Sequence, residues 1–124
     1  MEAEIVDSLL ISRFDSVYTY PEEMETEFRQ AQKGLTDSSA YYKLELFTGY
    51  CLYLRGYQDS AVHLNQKVLD FCKQHPGTDA LEATGWNHRY AVLQGINQKD
   101  SSIACLHHAY NAIYRSDDHK ELES

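Results

Sequence analysis

A chain of 124 residues is long enough to bury one core and too short for a second. A formal net charge of −8 and a pI near 5.1 argue against a nucleic-acid partner, whose phosphates would be repelled; the 43% hydrophobic and 24% charged residues are ordinary for a soluble domain. No apolar run approaches the roughly 18 residues of a membrane span, and the start Met1-Glu2-Ala3-Glu4 is acidic where a signal peptide would be basic.

Two prolines, six glycines and long amphipathic stretches predict helices throughout, an all-α class. The first runs from about Ala3 to Phe14, with a break over Asp15–Tyr20. Pro21 suits a helix first turn, followed by Glu22 and Glu23, which favour the positive end of the dipole. Met24, Phe28, Ala31 and Leu35 then share one face. Gly34 and Thr36-Asp37-Ser38-Ser39 end this helix and cap the next. The third helix spans about 40–55 and closes at Gly56. The fourth starts near Asp59 or Ser60, with Ala61, Leu64, Val68 and Phe71 on one face. His75-Pro76-Gly77-Thr78 is the strongest punctuation in the chain. A fifth helix covers about 79–94. After a loop at 95–99, a sixth begins near Asp100, with Ile103, Leu106, Tyr110 and Ile113 expected on its buried face.

Six helices with short loops read as three antiparallel hairpins, about 3–35, 40–74 and 79–115, in one helical-repeat domain. Thr48-Gly49-Tyr50 recurs as Thr84-Gly85-Trp86, and the Ala61-to-Phe71 stripe recurs as the Ile103-to-Ile113 stripe. A lone hairpin cannot bury its apolar face, whereas stacked hairpins supply one another with a partner. Cys51, Cys72 and Cys105, widely spaced within apolar helical patterns, are expected as buried free thiols in a reducing, cytoplasmic setting.

Over residues 40–124 this pattern resembles the tetratricopeptide repeat family. Gly49, Gly56 and Ala61 stand at the family's small-residue positions, and Val68-Leu69 where the family has Ala-Leu. Pro76 is displaced from the family's proline, and the last pair fits poorly around His88 and Leu93. The resemblance implies a right-handed solenoid whose first helices line a concave, partner-binding surface. Lys43, Leu46, Tyr50 and Tyr53 would project there from the third helix, and Glu82, Trp86, Arg89 and Tyr90 from the fifth. Tyr50 and Trp86 have an equally natural place as core between hairpins; Tyr53 and Arg89 are expected exposed. Leu122-Glu123-Ser124 echoes Leu81-Glu82-Ala83, as if a further hairpin opened there, which suggests a piece of a longer protein. Repeats of this look are similar to those ahead of bacterial signalling output domains such as GGDEF-type diguanylate cyclases, although no GGDEF stretch is present.

Other residue patterns are less directive. Tyr18, Tyr20, Tyr41 and Tyr42 either form a sticky surface or seal helix ends. The acidic stretch 1–40 reads as a solvated face or an attractor of a basic partner. His107 and His108 are adjacent and cannot easily share an ion; only a set such as His88, Cys105 and His108, gathered in space, would bind a metal, and none is expected. No nucleophile elbow, phosphate loop or paired acid motif occurs, so neither catalysis nor a cofactor is expected. The expectation is a protein-interaction or sensory-regulatory module that binds a partner peptide or self-associates to control an attached domain. The alternatives are a small-molecule sensor and a structural dimerisation spacer.

Overall fold

The computed structural model describes residues 1–95 and 99–123, apart from the side chains of 99 and 116–123. These residues form seven helices and no strand: α1 Glu2–Ser12, α2 Phe14–Thr19, α3 Pro21–Gln32, α4 Ser38–Leu54, α5 Gln58–Gln74, α6 Asp79–Gly95 and α7 Lys99–Glu123. Residues 96–98 of the expected fifth-to-sixth loop, and Ser124 of the terminal echo, lie outside the described residues. The chain divides into two compact units, 1–65 and 66–124, and the division falls within the sequence of α5.

The expected break at Asp15–Tyr20 is instead the short helix α2. Only Arg13 interrupts the path, with φ −105° and ψ 7°. Val17, 4% exposed, anchors this turn in the core, and burial outweighs the weak local pattern. The chain leaves helical geometry at Tyr20 (φ −132°, ψ 59°) because a residue preceding proline is crowded out of the α region.

In the first unit Val6 and Leu10 of α1, Val17, Met24 and Phe28 of α3, and Ala40, Leu44 and Cys51 of α4 form one buried cluster. Ala31 and Leu35 pack at its edge, completing the face expected of α3. Polar ties close the unit. Glu2 accepts from the backbone N–H groups of Thr36 and Asp37, both at 2.8 Å, and from the Thr36 hydroxyl at 2.6 Å. Asp37 in turn caps α4 by accepting from the Ala40 N–H at 3.0 Å. Buried Gln32 donates to the Tyr41 carbonyl at 3.1 Å, so its amide is not stranded.

The α4–α5 turn follows from glycine. Gly56, at φ +91°, lets its N–H reach the Tyr53 carbonyl while the Tyr57 N–H reaches the Leu52 carbonyl, the double bond pattern of a Schellman cap. Gly49 brings α4 close to the start of α5: a Cβ there would lie 3.4 Å from the Leu64 Cβ and 3.5 Å from the Ala61 carbonyl oxygen.

In the second unit the turn between α5 and α6 passes through Gly77 at φ +87°, with the Thr78 hydroxyl donating to the His75 carbonyl at 2.7 Å. The helices α6 and α7 pack along one another. Arg115, late in α7, donates to Glu82 at 2.9 Å and to Asp79 at 3.4 Å, early in α6, so the pair runs antiparallel.

Here the structure corrects the sequence reading. Ile103, Leu106, Tyr110 and Ile113 do not face inward; all four are exposed. The buried face lies one residue earlier, at Ser102, Cys105, Ala109 and Ala112. Its partner α6 buries Leu81, Ala83, Gly85 and Val92. The small side chains along this face of α7 suit close packing of the two helices.

Candidate interaction surfaces

α4 is buried on most of its circumference, at Ala40, Leu44, Glu45, Leu46, Thr48, Gly49, Cys51 and Leu52. Lys43, Phe47, Tyr50 and Leu54 form a partly open stripe, with Tyr53 beside it. Leu46, expected to project outward, is therefore core, at 2% exposure. It sits on the closed side of a helix packed from several directions, and cannot be reached by a partner.

From that stripe a row of rings continues onto α2. Tyr53 lies 5.8 Å from Tyr50, Tyr50 lies 5.9 Å edge-on to Tyr18, and Tyr18 lies 5.8 Å edge-on to Phe14. Such edge contacts set the positive rim of one ring against the negative face of the next. Phe14 and Tyr18 are 58% and 54% exposed, while Tyr50 and Tyr53 are half-buried. Burial, followed by hydrogen bonding with Tyr18, pushes the Tyr50 phenol up to about 12, so it stays a neutral hydroxyl at physiological pH. Beside the row is an open depression of about 280 Å³ lined by Asp7, Leu10, Ile11, Phe14, Lys43 and Phe47. Lys43 is ion-paired with Asp7 at this depression. Phe14 and Phe47 are residues of this surface that the sequence reading missed, while Tyr18 figures there only as part of a sticky surface or a helix-end seal. The i, i+4 step from Lys43 to Phe47 could have revealed Phe47, but Phe14 and Tyr18 fell at and after the expected end of the first helix.

In the second unit Trp86 stacks on His108, ring centroids 4.4 Å apart, and its Nε1 donates to Glu82 at 3.2 Å. The Arg89 guanidinium sits 5.9 Å from the Trp86 ring centre and donates to Gln66 at 2.7 Å. The Tyr90 hydroxyl accepts from Gln94 at 3.2 Å. Glu82, Trp86, Arg89 and Tyr90 are all half-buried, so Trp86 is part of an intra-unit stack with one open edge. That edge borders a depression of about 300 Å³ that also involves Gln66, Leu69, Asp70, Lys73 and Glu82. Glu82, held by both Trp86 and Arg115, has a structural part to play here.

All three cysteines are buried and unbridged. Burial pushes the Cys51 thiol up to about 12 and raises those of Cys72 and Cys105, which makes poor nucleophiles of them. Among the described residues no three His, Cys, Asp or Glu side chains gather as metal ligands, so His88, Cys105 and His108 are not brought together as such a set. No helix among the described residues is long and apolar enough to cross a membrane.

By architecture this is an all-α protein, and several of its accessible aromatic side chains, among them Phe14, Tyr18, Tyr50 and Tyr53, are ordered into a row. No protein-family description matches the chain, no curated protein matches it, and no solved structure matches it.

Proposed function

We propose that this chain is a non-catalytic protein-docking module, built as a tetratricopeptide-like array of helical hairpins, that takes up partner segments on its aromatic surface. The row Phe14–Tyr18–Tyr50–Tyr53 beside an apolar depression carries this reading. Rigid rings offer large contact area at low entropic cost, which is why they dominate binding hot spots. Close packing of α3 with α4 and of α6 with α7 supports an array of sequence-neighbour helices, and the tight Gly49 contact supports the hairpin of α4 with α5. Buried unbridged thiols support a reducing compartment. In a larger signalling protein, docking or self-association would control an attached output domain to the extent that the two states of that protein bind the partner differently.

The test is to pan a random peptide display library against the purified chain and measure the selected peptides by calorimetry. Peptides with apolar or aromatic anchors are expected, and Phe14→Ser/Tyr18→Ser should weaken them by about tenfold or more. No selected peptide, or equal affinity for the double variant, would defeat the proposal.

A further inference from the structure

The helix α7 carries two parallel seams one residue apart. Ser102, Cys105, Ala109 and Ala112 form the inner one, none more than 4% exposed. Ile103, Leu106, Tyr110 and Ile113 form the outer one, at 50, 39, 76 and 45% exposure, with Tyr114 beside it at 65%. The outer spacing of three, four and three residues is the heptad spacing with which one helix meets another. We infer that this outer seam pairs with the same seam of a second copy of the chain, antiparallel about a two-fold axis level with position 108. The inference rests on the reading of the chain as an interaction module but uses a different face from the aromatic row.

Three observations select a second copy as the occupant. The seam is self-complementary: antiparallel pairing sets Ile103 against the partner's Ile113, an equal pair, and the smaller Leu106 against the partner's larger Tyr110. The charge pattern permits it. Residues 1–65 hold eleven acids and five bases, whereas 66–124 hold eight and six, so most of the self-repulsion sits away from α7 in sequence. Between 101 and 115 the one Asp, Glu, Lys or Arg is Arg115, and it is engaged by Asp79 and Glu82. An oppositely charged foreign helix therefore finds nothing to pair with along the seam, while an uncharged copy loses nothing. The area is sufficient: the exposed parts of the five side chains come to roughly 600 Å² per copy, and about 1,200 Å² for the pair reaches the lower edge of stable interfaces.

Sedimentation velocity on the whole chain from about 1 to 100 µM tests this, since an interface of this size is expected to hold a dimer in that range. Ile103→Glu/Tyr110→Glu buries carboxylates in the seam and should raise the dimer dissociation constant about 100-fold, with the circular dichroism spectrum unchanged. If that variant loses helicity, the milder Tyr110→Ser reads the same face and should weaken the dimer about tenfold. Ile103→Lys/Ile113→Glu sets opposite charges across an antiparallel pair, so it should dimerise more tightly than Ile103→Glu/Ile113→Glu; equal weakness would overturn the antiparallel register. A monomeric wild type, or a dimer indifferent to the seam substitutions, would overturn the inference outright. Phe14→Ser/Tyr18→Ser should leave dimerisation untouched, so failure here and failure of peptide docking are read separately.

Discussion

The two units differ most in the side chains on the buried faces of α3 and α7. In residues 1–65 the wholly buried side chains include Phe28, Leu44 and Val6, which share one cluster. In residues 66–124 the buried face of α7 is made of Ser102, Cys105, Ala109 and Ala112, while α6 buries Leu81, Ala83, Gly85 and Val92. Both arrangements use the same three-and-four spacing. α3 has one apolar stripe, so that stripe goes inside. α7 has two adjacent ones, and the one of small side chains goes inside, where small residues let helices approach closely. The bulky stripe stays outside, where it is available to a partner. Periodicity names the candidate faces of a helix, and side-chain volume decides between them.

The sharpest way to break that contrast is to empty the first core. Phe28→Ala should destabilise the protein by about 3–5 kcal/mol in denaturant unfolding, since a wholly buried ring leaves both lost transfer energy and a cavity. A value near zero would mean that the first unit does not depend on its large side chains. Next comes overfilling of the second: Ala112→Leu should cost about 1–3 kcal/mol by forcing α6 and α7 apart. Its neighbour Ile113→Ser should stay within about 0.5 kcal/mol, measured below the dimer range. Reversed costs at 112 and 113 would restore the bulky stripe as the inner one.

The smallest effect concerns the polar edge of the first unit. Hydrogen bonds from the Asp37 N–H, the Thr36 hydroxyl and the Thr36 N–H hold the Glu2 carboxyl below the usual carboxylate range. Its contribution is therefore complete above the unfolded value and is lost as pH falls through the lowered folded one. Thermal melts of Glu2→Gln and wild type should differ at pH 7 and converge once pH drops well below about 4. A difference that persists in acid would show that Glu2 acts through packing instead of charge.

Much was legible in the residues alone. The all-helical class, the Pro21 start, a cap within the run 36–39, the turns at Gly56 and Gly77, the inner face of α3 and the burial of the three thiols all follow from local chemistry. Such features depend on backbone φ, on missing N–H groups and on side chains that bond within a few residues, so the local sequence suffices to determine them. Only the tertiary structure decided that Val17 would hold a six-residue helix in place, that Leu46 would turn inward, that Phe14 and Tyr18 would extend the row begun by Tyr50 and Tyr53, and that α7 would present Ile103, Leu106, Tyr110 and Ile113 to solvent. Each of these depends on the size and position of side chains dozens of residues away, and a periodicity read along one helix carries no record of its neighbour's volume.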